Sequence, residues 1–354
     1  MRYTCSAIFL IVFVLMAAMI SELPAQQTAD VKNKRIGTAA ATELLIPVGA
    51  RDLAMGGASI ATTLGADAIY WNPAGLGRIE AAAEGLFSSM AYIGDIRVNY
   101  GAVAVGFGDF GSVGVSLKAM DFGDIPLTTN DDPEGRFGRT FSPNFMVFGL
   151  SYARAFTDAI TAGGTLKLVS EQIGRVNGSA VALDIGVQYH NVAGFQGLHL
   201  GVVLKNLGPQ MSFDGTGLLR RATSSDGRRP EQFYKSVPAS FELPSSVEIG
   251  LAWSRSLNEA VNYTVSGAFA NNNLGLDGYR VGGEVIYSMG KAKLFARGGA
   301  EMSPKGADDA QIFGPTFGVG LFYSTVGVDI TIDYAYRSVQ YFENNSMFTL
   351  KLSF

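Results

Sequence analysis

The chain has 354 residues, among them 44 glycines, 23 phenylalanines and 14 tyrosines, and only 16% of it is charged. This is greasier than an ordinary soluble protein, yet no apolar run approaches the ~20 residues a membrane-spanning helix needs, which points instead to membrane strands. A formal net charge of -4 offers no basic footprint for nucleic acid, and the single cysteine, Cys5, lies before an apolar leader, so a mature chain has no thiol for disulfides, catalysis or metal binding.

Residues 1–25 read as a secretory signal: Arg2, then the apolar run Ala7 to Ile20, then Ser21-Glu22-Leu23-Pro24-Ala25 before the cut. Residues 26–80 hold no long alternating run and are rich in Ala and Gly. Leu53-Ala54-Met55 and Ile60-Ala61 are expected to form short helical turns there, and AIYWNPAGL at 68–76 is expected to be a greasy turn in which Pro73 needs no ladder donor and Asn72 caps with its side chain. Because it precedes the first strand, this segment is expected on the periplasmic side or inside a barrel.

From residue 81 to the end the chain keeps a period of two. Val326, Val328, Ile330, Ile332, Tyr334 and Tyr336 alternate with Gly327, Asp329, Thr331, Asp333, Ala335 and Arg337, and the stretches 181–190 and 348–354 repeat the pattern. Such runs predict strands near 81–91, 97–107, 111–122, 141–156, 159–173, 178–190, 197–207, 245–257, 260–271, 279–290, 291–302, 314–324, 326–338 and 344–354. The predicted fold class is all-β, a transmembrane outer-membrane barrel of about 14 antiparallel strands over 81–354 behind an N-terminal segment. Many of these runs reach the ~9–11 residues a tilted membrane strand needs. Links after even strands are short, those after odd strands mostly longer, with extremes at 123–140 and 208–244, as in outer-membrane barrels.

A soluble sandwich would also alternate, but its strands should be shorter and its apolar parity would face a core. Here the polar parity carries Asp184, Lys205, Glu248, Glu284, Asp329 and Asp333 in mid-strand, as a watery lumen allows. These charges either solvate a lumen or pair across it and plug it, and the pattern alone leaves both open. The chain ends on an aromatic, and Phe348, Leu350, Leu352 and Phe354 form a candidate barrel-assembly signal.

Few residues carry chemistry. Gly106, Gly108 and Gly111 match GxGxxG, but a strand and not a helix follows, so they are read as a hairpin turn; Asp-Phe-Gly at 109–111 and 121–123 stands without the rest of a kinase signature. His190 and His199 flank one short link and are read as polar residues of a periplasmic turn, not as a metal pair. No metal, cofactor or enzymatic activity is expected. Arg220, Arg221, Arg228 and Arg229 in the longest loop are candidate extracellular docking residues for an acidic partner or for lipopolysaccharide phosphates, the alternative being a solvated loop.

The run GARDLAMGGASIATTLGADAIYWNPAGL, with Tyr152-Ala153-Arg154, Gly164-Thr165-Leu166-Lys167, Leu183-Asp184-Ile185-Gly186, Asn206-Leu207-Gly208 and Asp333-Tyr334-Ala335-Tyr336, resembles the PorV/PorQ family of outer-membrane proteins, which belong with the FadL-like fourteen-stranded barrels. The acidic pair such proteins often carry before the aromatic step is here only Asp67, beside Ala66. The resemblance implies that the segment before the first strand is a hatch inside the barrel, and it makes Arg51, Asp67, Tyr70, Trp71, Asn72, Pro73, Ala74 and Gly75 the candidate hatch and gating residues. It implies a cell outer-membrane location, contact with outer-membrane lipids, and a role in type IX protein secretion or surface attachment, with secreted cargo and other secretion components as partners. The alternative is passive transport of hydrophobic small molecules. A transporter predicts an apolar pocket between hatch and wall and a break in the strand ladder; a secretion component predicts a docking surface from loops 123–140 and 208–244.

Overall fold

The computed structural model describes residues 38–223, 230–273, 277–303 and 312–354; the expected leader and residues 26–37 lie outside them. Fourteen long strands form one antiparallel sheet that closes on itself. In chain order they are β1 (Ala83–Ala91), β2 (Arg97–Gly106), β3 (Ser112–Asp121), β4 (Asn144–Ala155), β5 (Ile160–Ile173), β6 (Val176–His190), β7 (Leu198–Leu207), β8 (Ser246–Ser256), β9 (Val261–Asn272), β10 (Gly278–Met289), β11 (Ala292–Met302), β12 (Phe313–Ser324), β13 (Asp329–Val339) and β14 (Asn345–Ser353). Each pairs with its neighbours in sequence, and β1 pairs with β14 from Glu84 opposite Ser353 to Ala91 opposite Ser346. Phe354 finishes that seam: its amide donates to Ala83 O and its carbonyl accepts from Ala82 N, both at 2.9 Å. Closure leaves no sheet edge for lipid to strand unpaired, which is why a barrel and not an open sheet crosses a membrane.

The alternation decides which way each face points. Along β13, Ile332, Tyr334 and Tyr336 are 40%, 45% and 36% exposed, while Thr331, Asp333, Ala335 and Arg337 between them are buried. Phe148, Leu150, Leu166, Leu168, Leu183 and Ile185 likewise point outward on β4 to β6. Apolar side chains outside and charges inside invert a soluble sandwich and match a lipid-facing belt. Two strand starts fall three residues later than the alternation predicts: β4 begins at Asn144, and β13 at Asp329, because Val326-Gly327-Val328 lie in a tight turn closed by Thr325 N and Oγ1 donating to Val328 O at 3.1 and 2.6 Å, with Gly327 at φ +87°. Alternation continued through the turn by chance, since Val326 is nearly fully exposed.

Residues 38–80 fill the lumen. They comprise a 3-10 turn (Thr42–Leu45), α1 (Ala50–Ala54), α2 (Gly65–Trp71) and a 3-10 helix (Pro73–Arg78). The inward charges are not bathed in an open lumen: Lys118, Lys167, Asp184, Lys205, Glu248, Glu284, Arg297 and Asp333 point inward and are buried beneath this segment. Asp329 is not among them, sitting half-buried at the turn. The helix α2 also departs from the expectation of a turn over the whole of AIYWNPAGL. Pro73 bars helix at Asn72, which is extended at φ -157° and ψ 104°, but it has no such hold on Ala68 to Trp71 further back. Helix α1 covers Leu53 and Ala54, whereas Ile60-Ala61 form no helix and lie in a turn where Thr62 N and Thr63 N donate to Ser59 O at 2.7 and 2.8 Å.

Candidate functional site: the segment inside the barrel

At several points where this segment touches the wall, the wall residue is glycine. A Cβ at Gly163 on β5 would lie 2.5 Å from Pro73 O, and one at Gly201 on β7 would lie 2.5 Å from Ile60 O. At Gly186 on β6 it would collide with Asn72 Oδ1, and at Gly282 and Gly299 with the backbone of Met55. Backbone therefore packs on backbone, and the lumen is closed by contact rather than by a loosely tethered cork.

The AIYWNPAGL stretch is the best-anchored part. Asn72 Nδ2 donates to Ile60 O at 2.9 Å and to Val187 O of β6 at 3.3 Å, while Oδ1 accepts from Ala74 N at 3.2 Å, so one amide caps the following 3-10 helix and ties it to the wall. Pro73 occupies the first position of that helix, where a missing N–H costs nothing. Ala74 is fully buried, and a Cβ at Gly75 would collide with Thr63 O, so both positions demand small residues. Trp71 Nε1 donates to Val48 O at 2.8 Å, Tyr70 OH donates to Leu44 O at 3.2 Å, and the two rings meet edge to face at 5.2 Å. Three wall ammoniums surround the Tyr70 ring, Lys118 at 4.9 Å, Lys205 at 5.1 Å and Lys167 at 6.0 Å from its centre, and Lys205 lies 5.2 Å from Trp71.

Ion pairs complete the seat. Arg51 bridges Asp52 at 3.0 Å and Glu284 of β10 at 3.2 Å; Glu284 also takes Arg297 at 2.6 Å, which reaches Asp333 at 2.5 Å. Asp67 takes Lys351 of β14 at 2.9 Å. On the other side of the lumen Lys205 and Arg280 share Glu248 at 3.4 and 3.1 Å, and Lys167 pairs with Asp184 at 2.5 Å. Of the two readings left open for the inward charges, pairing holds. Lys118, Lys167, Arg280, Arg297 and Lys351 were not singled out from sequence; their sign complements the inward acids, but which strand neighbours or luminal residues they meet depends on register.

Among the described residues no carboxylate is bonded to Lys118: its ammonium donates to Glu43 O at 2.6 Å and to Ile46 O, crowning the end of the Thr42–Leu45 turn. Glu43 is buried beside Glu171 of β5, whose Oε1 accepts from Ala41 N at 2.7 Å. Burial first and the Glu171 charge second push the Glu43 carboxyl up to about 8, with Lys118 opposing. Burial likewise raises Asp52 to about 6, against Arg51. A raised folded-state value means that the seated segment keeps a proton which the unseated one gives up. Seating is therefore strongest below the free-carboxyl value of 4.5 and weakens as pH climbs towards 8. Limited proteolysis of the segment is expected to quicken between pH 5 and pH 9 in the wild type and to lose most of that dependence in Glu43→Gln; an equal rise in the variant would contradict this origin.

Between Tyr70 and the wall lies a cavity of about 20 Å³, lined by Leu44, Ile69, Tyr70, Tyr100, Ser116, Lys118, Val147, Gly149, Thr165 and Lys167. A water molecule needs ~10–15 Å³ on this measure, so there is room for about one and none for a hydrocarbon. The ladder is irregular nearby. Leu183 faces Leu207 but Ile185 faces Leu204, so β7 carries one extra residue, and Asn206 takes the left-handed conformation at φ 57°. Asn206 N donates to Asp184 Oδ1 at 2.8 Å, its Oδ1 accepts from Lys167 Nζ at 2.8 Å, and its Nδ2 donates to Pro244 O at 3.0 Å, so side chains brace the bulge. A second irregularity lies between Phe313 and Thr316, at Pro315 of β12.

The other candidates are placed apart from this seat. Phe348 and Phe354 point outward at the β1–β14 seam, and Leu350 and Leu352 on the same strand are half-buried. Arg220 and Arg221 lie on an exposed strand, Leu219–Ala222, paired with Gln232–Lys235 in the long loop, with Arg221 5.2 Å from the Phe233 ring; Arg228 and Arg229 lie outside the described residues. In loop 123–140 a short pair joins Ile125–Pro126 to Thr140–Phe141.

Many solved structures share this architecture, three of them as follows. The Ralstonia pickettii toluene transporter TbuX is 14% identical, with 87% of this chain and 98% of that one covered at a TM-score of 0.52. The P. putida toluene transporter TodX is 13% identical over 87% and 97% at 0.52, and a Pseudomonas aeruginosa FadL homologue is 11% identical over 87% and 98% at 0.50. The fold is that of the FadL-like outer-membrane channels. No family model matches the chain, and no curated protein does.

Proposed function

We propose that the protein is a non-enzymatic channel of the cell outer membrane that passes hydrophobic small molecules, with residues 38–80 as its hatch. The observation that carries this reading is the β7 bulge at Asn206, an irregularity in the β6–β7 ladder bonded by the Lys167–Asp184–Asn206 cluster and lying on the strands that surround Tyr70. A molecule too apolar to leave through water exits sideways through such a break. The names of the similar structures, two of them toluene transporters, support the same reading. The water-sized cavity describes the closed state, so passage requires the Tyr70–Asn72 region to shift. Accumulation of radiolabelled toluene by intact cells expressing the chain is expected to exceed that of vector controls several-fold, and to fall back when Asn206 and Asp184 are replaced by leucine. Equal accumulation with and without the chain would remove this reading.

A second reading, a PorV/PorQ-type component of type IX secretion, is favoured by the exposed hairpin that presents Arg220, Arg221, Phe233 and Tyr234 together. Aromatic and arginine side chains on one exposed ribbon suit docking of secreted cargo or a secretion component. Gene deletion followed by proteomics of the surface fraction separates the two: loss of exported proteins from that fraction favours secretion, and their retention with reduced toluene uptake favours transport.

A further inference from the structure

At the mouth where residues 38–80 leave the lumen for β1, three nitrogens are buried without a hydrogen-bond partner among the described residues: His190 Nε2, His199 Nδ1 and Arg78 Nε. They belong to one place. His190 and His199 stand directly opposite each other on β6 and β7, with ring centres 4.9 Å apart at 63°. The β4–β5 turn holds the third member against them: His190 N donates to Ala159 O at 2.8 Å, and Arg78 donates from Nη2 to the carbonyl of the adjacent Asp158. The Arg78 guanidinium is near enough to act electrostatically on both rings. The Asp158 residue is exposed; its backbone carbonyl accepts from Arg78, and its carboxylate also acts on the Arg78 charge.

Three buried donors left unbonded in one spot suit an acceptor-rich ligand. Arginine Nε always carries a hydrogen, and each imidazole presents an N–H at the orphaned position in one of its tautomers. The permanent charge of Arg78 repels a metal ion, which sets this cluster apart from a two-histidine metal site. We propose that Arg78, His190 and His199 form a binding site for a small oxyanion, a phosphate or a carboxylate group, at this mouth of the barrel. The site stands apart from the Tyr70–Asn72 region on which the transport reading turns, since Arg78 ends the last turn of the luminal segment.

Isothermal titration calorimetry on the detergent-solubilised full chain at pH 7 tests it, with inorganic phosphate and acetate as separate titrants and Zn²⁺ as the cation. Saturable binding of at least one anion is expected, weakened at least tenfold by Arg78→Gln and by His199→Gln and unchanged by Arg220→Gln on the distant hairpin. Which anion binds more tightly tells a tetrahedral from a planar ligand. Ring-nitrogen NMR shifts of His190 and His199 on anion addition supply a readout that survives if one variant folds poorly, and heat-modifiable migration on gels reports folding of each. The proposal is overturned by no saturable heat with either anion, by undiminished binding in a folded Arg78→Gln protein, or by Zn²⁺ binding in place of the anions.

Discussion

Gly186→Val is expected to turn a sealed barrel into a conducting one. Gly186 faces the lumen on β6, and any Cβ there runs into Asn72 Oδ1 and the Pro73 ring. The wall strand is hydrogen-bonded on both sides and cannot retreat, so the luminal segment must. When Asn72 moves, the bonds to Ile60 O, Val187 O and Ala74 N go with it, at about 1 kcal/mol each. Overpacking adds ~1–3 kcal/mol. A total of about 4 kcal/mol raises the unseated population on the order of a thousandfold. Planar-bilayer recordings are the measurement: long closed traces for the wild type, frequent open events for Gly186→Val. Gly85→Val is the control, because a Cβ there meets nothing within 4 Å. A folded Gly186→Val barrel as silent as the Gly85→Val one would show that this contact is not what seals the lumen.

The barrel was legible because its cause is local. A strand in lipid must send every second side chain outward, so the period of two survives in Ile332, Tyr334 and Tyr336 without knowledge of any partner. The anchoring by Asn72 and Pro73 was legible for a similar reason, since the cap and the first helical position follow from residue type and order. What fills the lumen was not. Asp184, Glu284 and Asp333 look the same in sequence whether they face water or a buried cation, and only the pairing of β10 with β11 and the fold of residues 38–80 bring Arg51 and Arg297 onto Glu284. The wall glycines were equally mute: Gly163, Gly186 and Gly201 could each have been a turn or a bulge, and their use as bare landing sites for another backbone appears only in three dimensions. Helix α2 was hidden because the proline beside it dominates the local signal, while its packing against β1, β2 and β3 is long-range.

Replacing Arg51 tests whether the seat is electrostatic as well as steric. Arg51 is the one residue of the luminal segment that reaches both Asp52, fully buried at its own helix, and Glu284 on the wall. In Arg51→Met the stem's packing remains while the charge goes. Glu284 keeps Arg297, and Asp52 keeps Ser59 Oγ at 2.5 Å, but one buried positive charge among three nearby acids, Asp52, Asp67 and Glu284, is lost. Breaking a buried pair from one side costs ~3–5 kcal/mol, whereas removing both charges comes close to neutral. Arg51→Met alone is therefore expected to expose residues 38–80 to protease by about two to three orders of magnitude, with the barrel still migrating as folded on unboiled gels. Adding Glu284→Gln to it should recover more than half of that loss, the coupling expected of residues in direct contact. Equal protease sensitivity in the single and double variants would mean that the glycine-lined fit alone holds the segment, and that the Arg51 pair sets only the orientation in which α1 sits.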